Sequence, residues 1–414
     1  MPHETQEHWH EPSNISQRAG AGSFKRPLRP YDVFMEDQGI PIVREIGVSK
    51  VQNLPLKPWK RMGGNATFIQ LFGTEGLWGC YVIEVPGSGA LATERHLYEE
   101  QYLVIEGRGT TEVWLEGGKK NVFEWQKGSF FAIPLNAYHR IVNGSSAPAL
   151  LLAGTTAPNA MNLYANNDFI FNNEFAFRDR FDNNKEFFKE TEGITPDPVM
   201  GRAMRRTNFL PDIINCDLPL DNRRSPGYRR FEPYMAGQQF YSFIGQHETG
   251  RYSKAHAHIS AAVLICLQGK GYTYTWPSSL GPRPFADGNG DKVFRVDYEP
   301  VGMVSAAPMS GDWFHQHFGV SKAPLRLTAW CGTNTSFGGH SVWGGRPGVF
   351  QKDTSSNDIR DGGKSIPYDE EDPFIRQEYE AALKSLGTET RMEEWLYRKP
   401  SVGEARPSID FMGM

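Results

Sequence analysis

The chain carries one pattern twice, and that duplication restricts its fold more than any other feature. Gly79 opens an apolar stretch, Glu94 and His96 follow, then Glu100, and a second apolar run from Tyr102 ends at Gly107-Arg108-Gly109. In the later copy the stretch opens at Phe243, Gly250 precedes His256 and His258, and the apolar run from Val263 ends at Gly269-Lys270-Gly271. A second shared element follows each: Gly128 to Pro134 with His139 and Asn143, and Gly302 to Pro308 leading to His315. Two copies of one unit imply two similar domains, and 414 residues suffice for two buried cores. With 43 glycines, 28 prolines and 13% aromatic residues, the units are expected to be short strands joined by turns. The expected class is all-β.

The histidines fall at alternate positions. A strand turns successive side chains to opposite faces, so His256 and His258 share one face, as do His315 and His317. Imidazoles gathered on neighbouring strands suit a transition metal better than magnesium or calcium. The four cysteines, Cys80, Cys216, Cys266 and Cys331, show no CxxC spacing and therefore no thiolate zinc site or disulfide framework. A reducing cytoplasm fits that usage. The net charge of −4, with no block of Lys or Arg, argues against nucleic acid and anionic membranes as partners. The first ten residues lack the pattern of a signal peptide, and no apolar run reaches a bilayer span.

These doubled motifs resemble the cupin superfamily, whose first motif is G-x5-HxH-x3,4-E-x6-G and whose second is G-x5-P-x-G-x2-H-x3-N. Glu100-x6-Gly107 and Gly128-x5-Pro134-x4-His139-x3-Asn143 match closely, with Glu94 standing where the first histidine of HxH belongs. In the second half His256, His258, Gly269, Gly302 and Pro308 match, Ala262 replaces the glutamate and Gly319 the final asparagine. The resemblance implies a bicupin: two double-stranded β-helix (jelly-roll) barrels in tandem with a C-terminal helical extension. Its expected divisions are a mobile arm over 1–28, a first barrel over 29–160, a connector over 161–235, a second barrel over 236–345 and an extension over 346–414. Helices are expected from Asp372-Pro373 onward and again over 388–399, and the insertion over 277–292 is a candidate lid.

Carried over residue by residue, the resemblance implies a three-histidine metal face of His256, His258 and His315 in the second barrel. Cupins lacking the glutamate include gentisate- and salicylate-type dioxygenases, which the Ala262 site resembles. Fe(II) is the metal so implied, with His317 as general acid or base and Arg251, Arg326, Trp313 and Tyr274 around a substrate. In the first barrel Glu94, His96, Glu100 and His139 form a harder set suited to Mn(II), Fe(II) or Zn(II). Tyr98, Gln101, Tyr102 and Tyr138 are expected around it. The leading expectation is a dioxygenase that cleaves a C–C bond of a small aromatic or enolised acid with O2 and no organic cofactor. The alternative is a non-oxidative decarboxylase, amidohydrolase, lyase or isomerase run from the first barrel, and the next a ligand-binding cupin without catalysis. A homo-oligomer is expected from the resemblance.

Overall fold

The structure is a computed structural model and describes residues 28–196, 202–222, 224–258, 262–309, 312–333 and 357–399. Apart from Leu28, the expected arm over 1–28 lies outside the described residues, as do parts of the C-terminal extension.

The duplication seen in the sequence is a duplication of topology. In the first half the strands Gly79–Val85, Ala149–Thr155, Glu100–Glu106 and Phe130–Ile133 lie side by side in that order. In the second half Phe240–His247, Leu325–Thr333, Val263–Gln268 and Met303–Ser305 repeat the order. A smaller antiparallel sheet faces each: Tyr138–Asn143, Arg108–Trp114 and Asn121–Gln126 in the first half. Its counterpart holds His256–His258, Trp313–Gly319, Gly271–Pro277 and Phe294–Tyr298. The fold is therefore all-β and jelly-roll in kind. Each half is an open two-sheet sandwich, since among the described residues no hydrogen-bonded ring joins its two sheets into a closed barrel.

The outer edges of the equivalent strands Phe130–Ile133 and Met303–Ser305 are both covered, by borrowed chain. Phe209–Leu210 of the connector pairs with the first, and Gly47–Val48, from the N-terminal half, pairs with the second. Covering an edge removes a row of unpaired backbone groups that would otherwise invite another strand. The halves are also fused through their cores. Trp330 of the second half packs on Phe130 of the first with ring centroids 5.9 Å apart, and Gly154 leaves room for it. A Cβ at Gly154 would stand 2.6 Å from the Trp330 ring, so only glycine allows this approach.

The helix expected after Asp372 runs Pro373–Ser385, with the Asp372 side chain accepting from the Phe374 N–H as an N-cap. Ile375, Tyr379 and Leu383, spaced four apart, form its buried stripe, and Tyr379 packs on Tyr252 and Phe318 of the second small sheet. The second expected helix is reduced to a 3-10 turn at Glu394–Tyr397. Before it the backbone is spent elsewhere: the Arg391 N–H donates to the Gly250 carbonyl. Just upstream of the long helix, Ser365 bridges His256, with the Ala257 N–H donating to the Lys364 carbonyl and the Ile366 N–H to the Ala255 carbonyl. The strand carrying His256 and His258 is thus held on both edges. The insertion over 277–292 leans on the same helix through Phe285 on Phe374 and the Ala286 N–H on Asp372. No described helix is long and apolar enough to cross a membrane.

Candidate functional site

Each sandwich holds one cluster of ligating side chains, at corresponding places. In the first half Glu94 and His139 face each other through reciprocal backbone bonds of 3.0 and 2.9 Å. In the second, His256 and His315 are the equivalent partners in register. Glu94 therefore occupies the place of His256, as the motif alignment implies.

In the first cluster, ligand atoms of Glu94, His96 and His139 lie within 4.8 Å of one another. His96 Nδ1 stands 2.9 Å from the Tyr98 carbonyl and His139 Nδ1 3.3 Å from that of Ala137. A carbonyl only accepts, so both Nδ1 atoms carry the proton and both Nε2 lone pairs turn inward. Those Nε2 atoms are buried with no hydrogen-bond partner. Glu100 completes the set, with Oε2 3.4 Å from His96 Nε2 and 3.9 Å from His139 Nε2. Its oxygens accept from the hydroxyls of Tyr81 and Tyr102, each at 2.7 Å. Burial keeps Glu94 above its usual range although Arg61 Nη2 lies 2.7 Å from Oε1. Burial, helped by His96, brings His139 down to about 4.

In the second cluster, ligand atoms of His256, His258 and His315 also lie within 4.8 Å of one another. His256 Nε2 and His315 Nε2 are 3.0 Å apart. Two nitrogens at right angles around an ion, each about 2.1 Å from it, would stand roughly 3 Å apart. The donor sets of both clusters fit a divalent metal: clustered imidazole nitrogens, flanked in the first half by carboxylates. His317 is fixed beside the second set by Thr273 Oγ1 at 2.7 Å, and burial brings it down to about 3.

This second cluster opens into a cavity of about 50 Å³. Its wall includes Ala262 beside the histidines, and on other sides Arg202, Arg224, Arg230, Tyr228 and His247. Among the described residues no Asp or Glu lines it. The three arginines come from the connector and from the strand Arg229–Tyr234, outside both motifs, so no motif spacing marks them. Their only sequence signal is the density of arginine late in the connector.

The four residues expected around a substrate lie elsewhere. Arg251 makes a two-pronged contact with Glu393, at 2.7 Å on each side. Arg326 is held by Gln246 and by the carbonyls of Ile213 and Cys216. Tyr274 faces the C-terminal helix side with Phe285 and Phe318, because its neighbours Thr273 and Thr275 are the ones opposite His317 and His315. Trp313, at the start of the His315 strand, packs on Phe294. Around the first cluster, Tyr98 stacks on His96 at 3.6 Å and Tyr102 holds Glu100, as expected of a surrounding shell. Gln101 turns instead to Gln238 between the halves, and Tyr138 turns outward to Arg95 and Trp114.

No protein-family model matches the chain, and no curated protein matches it in sequence. Solved structures that resemble it include an oxalate decarboxylase studied for its reaction-specificity switch, at 14% identity over 70% of this chain and 78% of that one, TM-score 0.43. Another is the Lactobacillus farciminis oxalate decarboxylase in a formate complex, at 10% identity over 69% and 85%, TM-score 0.43. Vicilin from hazelnut, Corylus avellana, is similar at 9% identity over 69% and 84%, TM-score 0.42. By its own sheet order the chain is a tandem pair of jelly-roll sandwiches holding two unlike candidate metal centres.

Proposed function

We propose that the protein is a metal-dependent enzyme that breaks a C–C bond of a compact carboxylic acid in the second sandwich, without consuming O2. The observation that carries this reading is the cavity whose wall joins three imidazoles to three arginines and contains no carboxylate among the described residues. Three neutral imidazoles leave both charges of a divalent ion uncancelled, and the arginines add to the pull on an anion. A bound metal would supply Lewis-acid polarisation of the acid's oxygens. The chain's own part is to hold the acid by its charge, to fix it beside His317 and to keep bulk water out of a buried site. Lewis-acid polarisation of this kind needs no oxidant, so the reading does not call on O2.

A second reading, the O2-dependent dioxygenase, draws on Ala262, which leaves the metal face without a carboxylate. Iron belongs to that reading alone, whereas the first requires only a divalent ion. Turnover of a panel of short acids, oxalate among them, separates the two when followed in parallel under argon and in air. Product formed at equal rates in both atmospheres supports the first reading, and product strictly matched to O2 uptake replaces it with the second.

A further inference from the structure

We infer that the ligand of the second-half cavity bears two anionic groups, one gathered at the three imidazoles and the other at Arg230, making it a short-chain dicarboxylate rather than a monocarboxylate. This rests on the reading that the cavity binds a carboxylic acid, and adds what that acid must carry at its other end.

Besides the Nδ1 atoms of His256 and His315, two buried polar atoms on the cavity wall lack partners. Arg230 is 6% exposed and its Nε has no hydrogen-bond partner; His247 is 4% exposed and its Nδ1 has none. Leaving such groups unpaired costs stability unless a ligand meets them. Arg230 is also aimed with care. Its Nη2 donates to the Tyr241 hydroxyl at 2.6 Å and lies 2.7 Å from Glu232 Oε1, and its guanidinium covers the Phe243 ring at 3.9 Å. Tyr241 in turn donates to the same Glu232 oxygen. Glu232 is shared with Arg202 at 3.5 Å, so this one carboxylate answers to two guanidinium groups. A planar fork held on one side and open at Nε suits a carboxylate arriving from the cavity.

The cavity also has two sides. The imidazoles stand on the small sheet of the second sandwich, whereas Arg230 pairs in register with Gly245 on the large sheet, so the two sets of groups line the cavity from different sheets. An acid with a single carboxylate at the imidazoles would leave the Arg230 end unanswered.

The test is calorimetric titration of the metal-loaded full-length protein with malonate and succinate against acetate and propionate. The expected result is at least about a 10-fold tighter binding of the dicarboxylates, the scale of one added hydrogen bond to a charged group. In Arg230→Lys, which keeps the buried charge but removes the fork, that advantage should fall to less than about threefold while the monocarboxylates bind as before. Metal-dependent binding of both kinds with equal affinity would overturn the inference and leave the reading beneath it standing. Absence of metal-dependent binding by any of the four acids would overturn both. The wild-type comparison stands alone if the variant fails to fold.

Discussion

The two sandwiches place their ligands at equivalent positions and keep their negative charge in different places. In the first, Glu94 and Glu100 are inside the cluster, and Arg61 answers Glu94. In the second, Ala262 stands at the glutamate's place, and Glu232 ties Arg230 and Arg202 behind the cavity wall. Two carboxylates neutralise a divalent ion; three imidazoles do not. One scaffold therefore offers one donor set that would satisfy a divalent ion and another that would leave the ion's charge for a ligand. The shared sheet order fixes where the ligands stand, and Ala262 in the second half, against Glu100 in the first, changes what they leave undone.

The comparison breaks most visibly if the wrong half carries turnover. His315→Ala is expected to remove one metal equivalent and to lower activity beyond the roughly 10–100-fold that a merely supporting residue costs. His139→Ala should remove the other equivalent and leave activity within about threefold. Metal analysis beside an activity assay decides this, and the opposite pattern would move the chemistry to the first sandwich. Ala262→Glu sharpens the contrast by giving the second half the missing carboxylate. Metal should then be held about 10-fold more tightly in a competition titration, while KM for the acid rises by a similar factor. Tyr102→Phe, which takes a hydroxyl from Glu100, should weaken the first metal by up to about 10-fold and leave the second unchanged.

The smallest effect is on pH dependence. His247 and His317 are brought down to about 3 by burial, and His139 to about 4, whereas an unfolded imidazole titrates near 6.5. Between those values the unfolded chain binds more protons than the folded one, so stability is full above about pH 6.5 and falls as pH drops toward 3. In metal-free protein, His247→Gln should reduce the loss of Tm between pH 7 and 5 by roughly 2–4 °C. An unchanged slope in thermal scans would remove His247 from the acid-sensitive set.

Much of this was legible in the sequence because a repeat carries its own internal control. His256 with His258, and Glu100 with Gly107, keep motif spacing, and the Asp372-Pro373 start marks its helix through capping chemistry. What was not legible depends on register. Tyr274 looks as well placed as Thr273 or Thr275 until the pairing of His317 with Thr273 is known, and that pairing turns Tyr274 away. The arginines were hidden for another reason. Arg202 and Arg224 come from the connector, which follows neither motif, and Arg230 lies on a strand beyond the repeated segments. Arg251 and Arg326 were nearer to the motifs in sequence, yet Glu393 and the Cys216 carbonyl claim them.

The backbone of Ser365 and its neighbours, which closes the free edge of the His256–His258 strand, sets an order of events in the life of the chain. Folding during synthesis proceeds from the N-terminus. Glu94, His96, Glu100 and His139, with the tyrosines around Glu100, have all left the ribosome while the second sandwich is still being made. His256, His258 and His315 emerge next, but the segment that braces their strand follows later still. The first set of ligands is thus placed early, and the second is braced only once Lys364, Ser365 and Ile366 have docked. A cell that loads metal during translation fills them in sequence, and a ribosome that stalls before Ser365 releases a chain with one braced centre instead of two.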